Sequence, residues 1–194
     1  MAHSSKETYP GVGVKTSSSS FSTTLSNNVY LNASGFLNIS QIWQLKSNSG
    51  LSFRTCSNGK LLHQVGATGN SLTLTLNNGV LNLEWQINSS LSNVTVGENL
   101  NDNAWYFVKF EFLLGNLSII VQKGPDILFT KLIANDSFNQ NLWNVKLQNG
   151  SALLVGFNFT GCLMSGPNID LTSASSTGFV YNGCPSTYNT NCSE

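Results

Sequence analysis

Hydrophobic and polar side chains alternate along much of the chain with a period of two residues, which is the pattern of half-buried β-strands. The run 71–76 places leucine at every second position, and the run 81–87 places Leu, Leu, Trp and Ile at every second position. Asn78 and Gly79 lie between the two runs, and both residue types tolerate the positive φ angles of a type I′ turn. The sequence therefore predicts a tight β-hairpin here.

A second hairpin is predicted over residues 105–121, where hydrophobic and polar side chains alternate on both sides of Gly115 and Asn116. Further strands are predicted over 127–133 and 152–159. Turn residues recur about every 8–12 residues, a spacing that is typical of an antiparallel β-sandwich.

The two ends differ from the body of the chain. Residues 1–26 are polar and rich in Ser and Thr, and the first five resemble the remnant of an expression tag, although the stretch 21–25 could form an edge strand. No linker-like stretch interrupts residues 27–184, so we expect a single all-β domain there. Residues 185–194 are expected to be a tail or linker.

The composition supports this fold class and narrows the function. Charged residues make up 9% of the 194 residues, against about 25% in an average soluble protein, and Asn, Ser, Thr and Gly take their place. The net charge is zero and the nine Lys and Arg residues are scattered, so the clusters needed to bind nucleic acid are missing. No stretch approaches the roughly 20 apolar residues of a membrane span. Membrane attachment is therefore expected only through a span outside this chain.

Cysteines and glycosylation motifs indicate the secretory pathway. Cys162, Cys184 and Cys192 lie near the C-terminal end, and Cys56 lies alone upstream. Their spacing fits neither a CxxC pair nor a zinc site, so disulfides are favoured. Asn-x-Ser/Thr sequons, the acceptors of N-glycosylation, begin at Asn32, Asn38, Asn88, Asn93, Asn116, Asn135, Asn149, Asn158 and Asn191. A chain so rich in Asn, Ser and Thr contains several sequons by chance, so the cysteines carry more weight.

Three parts of the chain, spread over residues 29–184, resemble the laminin G-like family in the order that the family has them. They read LSFRT and NGKLL over 51–62, LNDNAWYFV over 100–108, and LVGF, FTGCL, NIDL and GC over 154–184. Two positions depart from the family pattern, because Tyr106 replaces a His and Phe157 replaces a Gly.

The resemblance implies a jelly-roll-like β-sandwich of roughly a dozen to fourteen antiparallel strands, with a disulfide between Cys162 and Cys184. Cys56 and Cys192 either pair with each other, or Cys192 belongs to a following module and Cys56 is a small buried hydrophobic residue. The C-terminal segment also resembles the bridge into an epidermal-growth-factor-like (EGF-like) repeat. The chain would then be one module of an EGF-like or cadherin-type mosaic ectodomain.

Groups that could catalyse a reaction are scarce. His63 is the only histidine outside the N-terminal segment, and no Gly-x-Ser-x-Gly motif is present. Glu84 and Glu111 each stand alone on their strands rather than as a carboxylate pair. We therefore expect no enzymatic activity.

Calcium is the cofactor that the resemblance implies, bound at one rim by Asp or Asn side chains and backbone carbonyls. The family places a carboxylate just before the strand that begins near residue 71, where this chain has Asn70. Asn70 would supply one neutral oxygen, and Asp102 or Asp170 would contribute only if the fold brings them close. Hard cations prefer anionic oxygens, so calcium binding is disfavoured, and no other cofactor is predicted.

The leading functional hypothesis is an extracellular adhesion or receptor module, secreted or part of the ectodomain of a membrane protein. It would bind a protein or glycan partner through loops at one rim of the sandwich. The alternatives are a structural spacer without its own ligand and a carbohydrate-binding lectin with exposed aromatic side chains. Trp85 and Trp105 lie in strand patterns and are expected in the core. Trp143, Tyr181 and Tyr188 are the aromatic residues expected to be exposed.

Overall fold

The computed structural model describes residues 24–39, 44–66, 68–113, 116–133, 147, 152–186 and 192 of the chain. Fourteen strands are defined in these residues. In chain order they are β1 (Asn28–Leu31), β2 (Phe36–Ile39), β3 (Gly50–Arg54), β4 (Gly59–Val65), β5 (Ser71–Asn77), β6 (Val80–Ile87), β7 (Ser90–Val96), β8 (Tyr106–Leu113), β9 (Asn116–Lys123), β10 (Asp126–Ile133), β11 (Leu153–Phe157), β12 (Gly161–Met164), β13 (Ser175–Thr177) and β14 (Val180–Asn182).

The strands form two seven-stranded antiparallel sheets, which confirms the predicted fold class. Sheet A has the order β10-β9-β8-β3-β12-β1-β14, and sheet B has the order β13-β2-β11-β4-β5-β6-β7. Strands distant in sequence are neighbours in both sheets, as in a jelly-roll β-sandwich. A 3-10 turn, Leu171–Ser173, precedes β13.

The core lies between the two sheets and follows from the alternation of each strand. The inward leucines of β5 and the aromatic side chains Phe53 and Phe110 are all at most 2% exposed. Strand β9 departs from simple alternation, because Ser118 and Ile120 are buried as well as the residues between and beside them. Both faces of β9 are therefore covered, whereas the sequence pattern predicted one buried face.

The first predicted hairpin is confirmed by the pairing of β5 with β6, in which Leu72 faces Trp85 and Leu74 faces Leu83. The turn residues Asn78 and Gly79 have φ angles of 49° and 76°. Positive φ at both central positions is the signature of a type I′ turn, which matches the twist of the flanking strands.

Two ends of the sandwich are named here, each after one residue of the described loops that lie there. At one end the loop 97–105 packs on the β5–β6 turn, where the Leu100 N–H donates to the Gly79 carbonyl at 2.9 Å. We call this end the Trp105 rim. At the opposite end of β5 lies Asn70, and we call that end the Asn70 rim.

The predicted chain ends are only partly described. Most of the suggested edge strand over 21–25 lies outside the described residues, and residues 24–26 belong to no strand. The strands extend from Asn28 to Asn182. The limits of a single domain over 27–184 stay a prediction.

Candidate ligand-binding rim

The Trp105 rim is built where strands from distant parts of the sequence end side by side. In sheet A, β3 pairs with β8 so that Phe53 faces Tyr106. This register places the next outward positions, Arg54 and Trp105, beside each other. The buried Thr55 holds the base of the rim, because its hydroxyl donates to the Thr160 carbonyl at 2.6 Å.

Arg54 and Trp105 form a cation–π pair. The guanidinium carbon lies 5.3 Å from the centroid of the Trp105 ring. The Nη2 atom of Arg54 also donates to the carbonyl of Pro185 at 2.8 Å. Such pairs contribute roughly 0.5–1 kcal/mol at exposed sites. The contacts hold the guanidinium in one orientation against the half-buried indole.

A second group at the same rim joins Asp102, Tyr106 and Lys123. The Lys123 Nζ atom lies 3.5 Å from the Asp102 carboxylate and 5.2 Å from the centroid of the Tyr106 ring. Asp102 also accepts a hydrogen bond from the Ala104 N–H at 2.9 Å. This group carries both signs of charge around an aromatic ring.

The electrostatics of this second group favour its charged form. Partial burial acts to raise the pKa of Asp102, but hydrogen bonds from the Ala104 N–H and the Tyr106 hydroxyl, together with the Lys123 ammonium, outweigh it and lower that pKa. Burial and the bond donated to Asp102 raise the pKa of Tyr106. The Tyr106 and Asp102 oxygens raise the pKa of Lys123. At neutral pH the rim therefore presents a carboxylate and an ammonium.

The two weak metal candidates lie at opposite rims. Asn70 precedes the seven-residue strand β5, and Asp102 lies in the loop that packs on the turn after β5. Seven strand residues span about 23 Å, so the two side chains cannot ligate one ion. Asn70 is 2% exposed, and its Oδ1 accepts from the Asn88 N–H at 2.8 Å.

The third candidate, Asp170, has a structural role as well. Its carboxylate accepts from the backbone N–H of Thr172 at 2.9 Å and so caps the 3-10 turn. No cluster of three or more His, Cys, Asp or Glu side chains suited to a metal occurs in the described residues. Weak or absent calcium binding stays a prediction.

His63 lies on the outward face of sheet B. Its Nδ1 atom forms a 2.9 Å hydrogen bond with the Thr73 hydroxyl. Burial and the nearby Lys60 lower the pKa of His63, and Glu84 partly opposes them. Glu111 lies on β8, with its carboxylate 3.9 Å from the Lys109 Nζ atom.

The pH dependence of stability should report on His63. Its folded pKa lies below the usual 6.5, so the unfolded chain binds a proton first as the pH falls. We expect stability to decrease from pH 7.5 downward through 6.5 and to level off below the folded pKa. His63→Gln should flatten this part of a pH series of thermal melts. Equal slopes in the variant and the parent chain would assign the effect to another group.

Two tyrosines form a surface pocket on the outward face of sheet A. The rings of Tyr30 and Tyr181 lie 6.0 Å apart, on the neighbouring strands β1 and β14. The pocket has a volume of about 540 Å³ and is lined by Tyr30, Asn32, Tyr181, Asn182, Gly183, Cys184 and Pro185. Tyr181 is 52% exposed, as expected from the sequence. The sequence pattern did not identify Tyr30 as an exposed aromatic residue.

The described sequons differ in their surroundings. Exposed sequon asparagines are Asn32, Asn88, Asn93 and Asn158, and half-buried ones are Asn38 and Asn116. Asn38 lies in the interior of sheet B between β11 and β13. The sequons at Asn135, Asn149 and Asn191 lie outside the described residues. Occupancy of every sequon stays a prediction.

All four cysteines are paired in the structure. Cys162 is bonded to Cys184, and Cys56 is bonded to Cys192, with Cα–Cα distances of 5.8 Å and 5.0 Å. The first bond joins the interior strand β12 to Cys184, two residues beyond the end of β14. The second pairing corresponds to one of the two arrangements that the sequence left open for these cysteines.

The aromatic residues show where sequence reasoning fell short. Trp85 is 6% exposed, as expected for the core. The expectation was wrong for Trp105, which precedes the first residue of β8 and is half-buried at the rim. The alternating pattern starts at Trp105, so periodicity alone could not exclude it from the strand. Trp143 and Tyr188 lie outside the described residues.

The two packed antiparallel sheets define a β-sandwich, and comparison with known proteins identifies its family. The model described as "Laminin G domain" matches residues 53–184. The chain therefore belongs to the laminin G domain family, which confirms the family resemblance. Laminin G domains are generally extracellular ligand-binding modules and not enzymes. No curated protein matches the chain significantly.

Solved structures share the fold at low identity. The LG1-3 region of the laminin alpha2 chain matches with a TM-score of 0.64 and 17% identity, over 81% of this chain and 34% of that one. Domains LG4-5 of the mouse laminin alpha1 chain match with a TM-score of 0.55 and 15% identity, over 81% of this chain and 47% of that one. The CBM40 of the Ruminococcus gnavus IT-sialidase matches with a TM-score of 0.51 and 11% identity, over 83% of this chain and 92% of that one. The chain spans about a third to a half of the laminin structures. No helix in the described residues is long and apolar enough to cross a membrane.

Proposed function

We propose that this chain is an extracellular adhesion or receptor module that binds a protein or glycan partner through the Trp105 rim. The observation that carries the proposal is the gathering of Arg54, Trp105 and Lys123 on one rim of a chain with only nine Lys and Arg residues. The few residues that dominate the binding energy at known interfaces are enriched in tryptophan, tyrosine and arginine.

The chemistry of the rim fits a neutral or weakly charged partner. Arg54 and Lys123 are balanced in part by Asp102, so the rim offers hydrogen bonds and a partly exposed indole rather than a strong positive field. Such a surface suits a folded protein or an oligosaccharide better than a polyanion. The two disulfides support an oxidising, extracellular compartment.

We also propose that the chain is one module of a mosaic ectodomain with EGF-like or cadherin repeats. The support is the resemblance of its C-terminal segment to the bridge into an EGF-like repeat. The sequence of the complete transcript tests this, because such repeats would have to follow or precede the module.

Trp105→Ala should weaken ligand binding by about 30-fold, the effect of losing a hot-spot residue worth about 2 kcal/mol. Lys123→Glu should weaken it as well and slow association, since it reverses a rim charge. The measurement is binding to a glycan array and to a panel of extracellular proteins. The secreted chain is presented as two linked copies, so that weak binding is detected. Each positive ligand is then titrated by surface plasmon resonance.

Matched controls lie on the edge strand β10. Lys131→Glu makes the same charge change at an exposed site, and Leu132→Ala removes a side chain that is 52% exposed. Both should bind as the parent chain does. Equal loss in rim and β10 variants, or no loss in either, would refute the rim as the binding site. No saturable ligand in either panel would favour the spacer alternative.

A further inference from the structure

The tyrosine pocket on sheet A contains a sequon asparagine as part of its own wall. Asn32 follows β1 and lines the pocket together with Tyr30 and Tyr181. Val29 and Leu31 are fully buried, so alternation along the strand points Tyr30 and Asn32 to the same, outward face. A group attached to the Asn32 amide would therefore start beside the two rings.

The backbone at Asn32 suits an acceptor site. The Gly35 N–H donates to the Asn32 carbonyl at 2.6 Å, which closes a turn over the sequon residues Ala33 and Ser34. All three sequon residues are exposed. The Asn32 N–H donates to the carbonyl of Phe179 at 3.2 Å, which fixes the turn against the chain before β14. The acceptor amide is thus accessible and held at the mouth of the pocket.

We propose that Asn32 is N-glycosylated and that the first sugar of this glycan occupies the pocket, stacked on Tyr30 and Tyr181. In the transfer step the Asn32 Nδ2 atom bonds to C1 of the N-acetylglucosamine of a lipid-diphosphate-linked oligosaccharide. The C1–O bond to the diphosphate breaks, and the lipid diphosphate leaves with one proton from Nδ2. The pocket then serves as an internal support for the chain's own glycan and is closed to other ligands.

The other exposed sequons in the described residues lack this arrangement. Asn93 lies exposed on the edge strand β7, where the residue two positions before it is Leu91. Two positions before Asn88 is Gln86, and two before Asn158 is Gly156. A tyrosine face, by contrast, presents both an apolar surface for the sugar ring and a polar hydroxyl at its edge. Asn32 is thus the described exposed sequon at which the glycan would also stabilise the fold.

The test uses the chain secreted from cells that make high-mannose glycans. Site occupancy is read by mass spectrometry after enzymatic release of the glycans in ¹⁸O water. Ser34→Ala removes the sequon and keeps Asn32, and Thr95→Ala removes the exposed Asn93 sequon as a matched control. Ser34→Ala should lower the melting temperature by about 2–4 °C, and Thr95→Ala should leave it unchanged. Trimming the Asn32 glycan to a single N-acetylglucosamine should preserve the higher melting temperature.

A double-mutant cycle then identifies the contact. In the Tyr181→Ala background, the difference in melting temperature between the glycosylated chain and its Ser34→Ala form should disappear. It should persist in Phe179→Ala, which removes an aromatic side chain that is 60% exposed and does not line the pocket. Persistence in Tyr181→Ala would overturn the stacking.

The inference rests on the secretory routing in the proposed function, but not on the Trp105 rim or its ligand. Occupied Asn88 or Asn93 with unmodified Asn32 would refute this inference alone. No modification at any sequon would refute the routing and the inference together.

Discussion

Removing the bond between Cys162 and Cys184 should lower the free energy of unfolding by about 3 kcal/mol. The bond closes a loop with a sequence separation of 22 residues, and the chain-entropy model gives about this value for the freedom that the unfolded chain regains. We would use Cys162→Ala with Cys184→Ser, because Cys162 is 1% exposed and serine there would bury a hydroxyl group.

The expected loss has a local component in sheet A. Strand β14 contains only three residues and pairs with β1 alone, so the bond fastens this edge strand to the interior strand β12. Without it, residues 180–182 should exchange their amide hydrogens faster than the rest of the sheet. The Arg54 contact to Pro185, one residue beyond Cys184, should loosen as well.

Urea unfolding followed by tryptophan fluorescence measures the global effect, and the secreted fraction shows its consequence in cells. Ser175→Ala, an exposed change on the edge strand β13, is the control and should stay within about 0.5 kcal/mol of the parent chain. A loss below about 1 kcal/mol in the cysteine variant would mean that this bond does not constrain the unfolded chain as the model requires.

Local patterns predicted the hairpins because they depend on neighbouring residues. The alternation over 71–87 and the Asn78-Gly79 turn are sufficient to specify β5, β6 and their register. The family resemblance then supplied the jelly-roll-like fold and the approximate number of strands. Periodicity gives little information about where a strand begins, and for this reason Trp105 was assigned to the core.

The candidate site could not be derived in the same way. Arg54 and Lys123 reach the Trp105 rim because β3, β8 and β9 are neighbours in sheet A, which no local pattern reveals. The same holds for Asn70 and Asp102, whose separation depends on the direction of β5 and on where the loop after β7 packs. Strand register therefore decides which polar residues act together, and only the assembled sheets determine it.

The largest expected effect belongs to Phe53, in the middle strand of sheet A. Its side chain is fully buried, and its ring centroid lies 5.8 Å from that of Tyr106. On the β12 side it faces Leu163, which is also fully buried. Phe53→Ala would remove the ring from the contact between two neighbouring strands and leave a cavity, at a cost of about 3–5 kcal/mol.

Typical domains have a free energy of unfolding of about 5–15 kcal/mol, so this change would remove a large part of the stability. Urea midpoints of Phe53→Ala and Phe53→Leu separate the cavity from the loss of aromatic contact, and Phe53→Leu should lose clearly less because it fills most of the space. Leu128→Ala, at a site that is 43% exposed on β10, should stay within about 0.5 kcal/mol. Equal midpoints for Phe53→Ala and Leu128→Ala would contradict a core centred between the two sheets, because a cavity at the fully buried Phe53 removes close-packed contacts that an exposed site does not make.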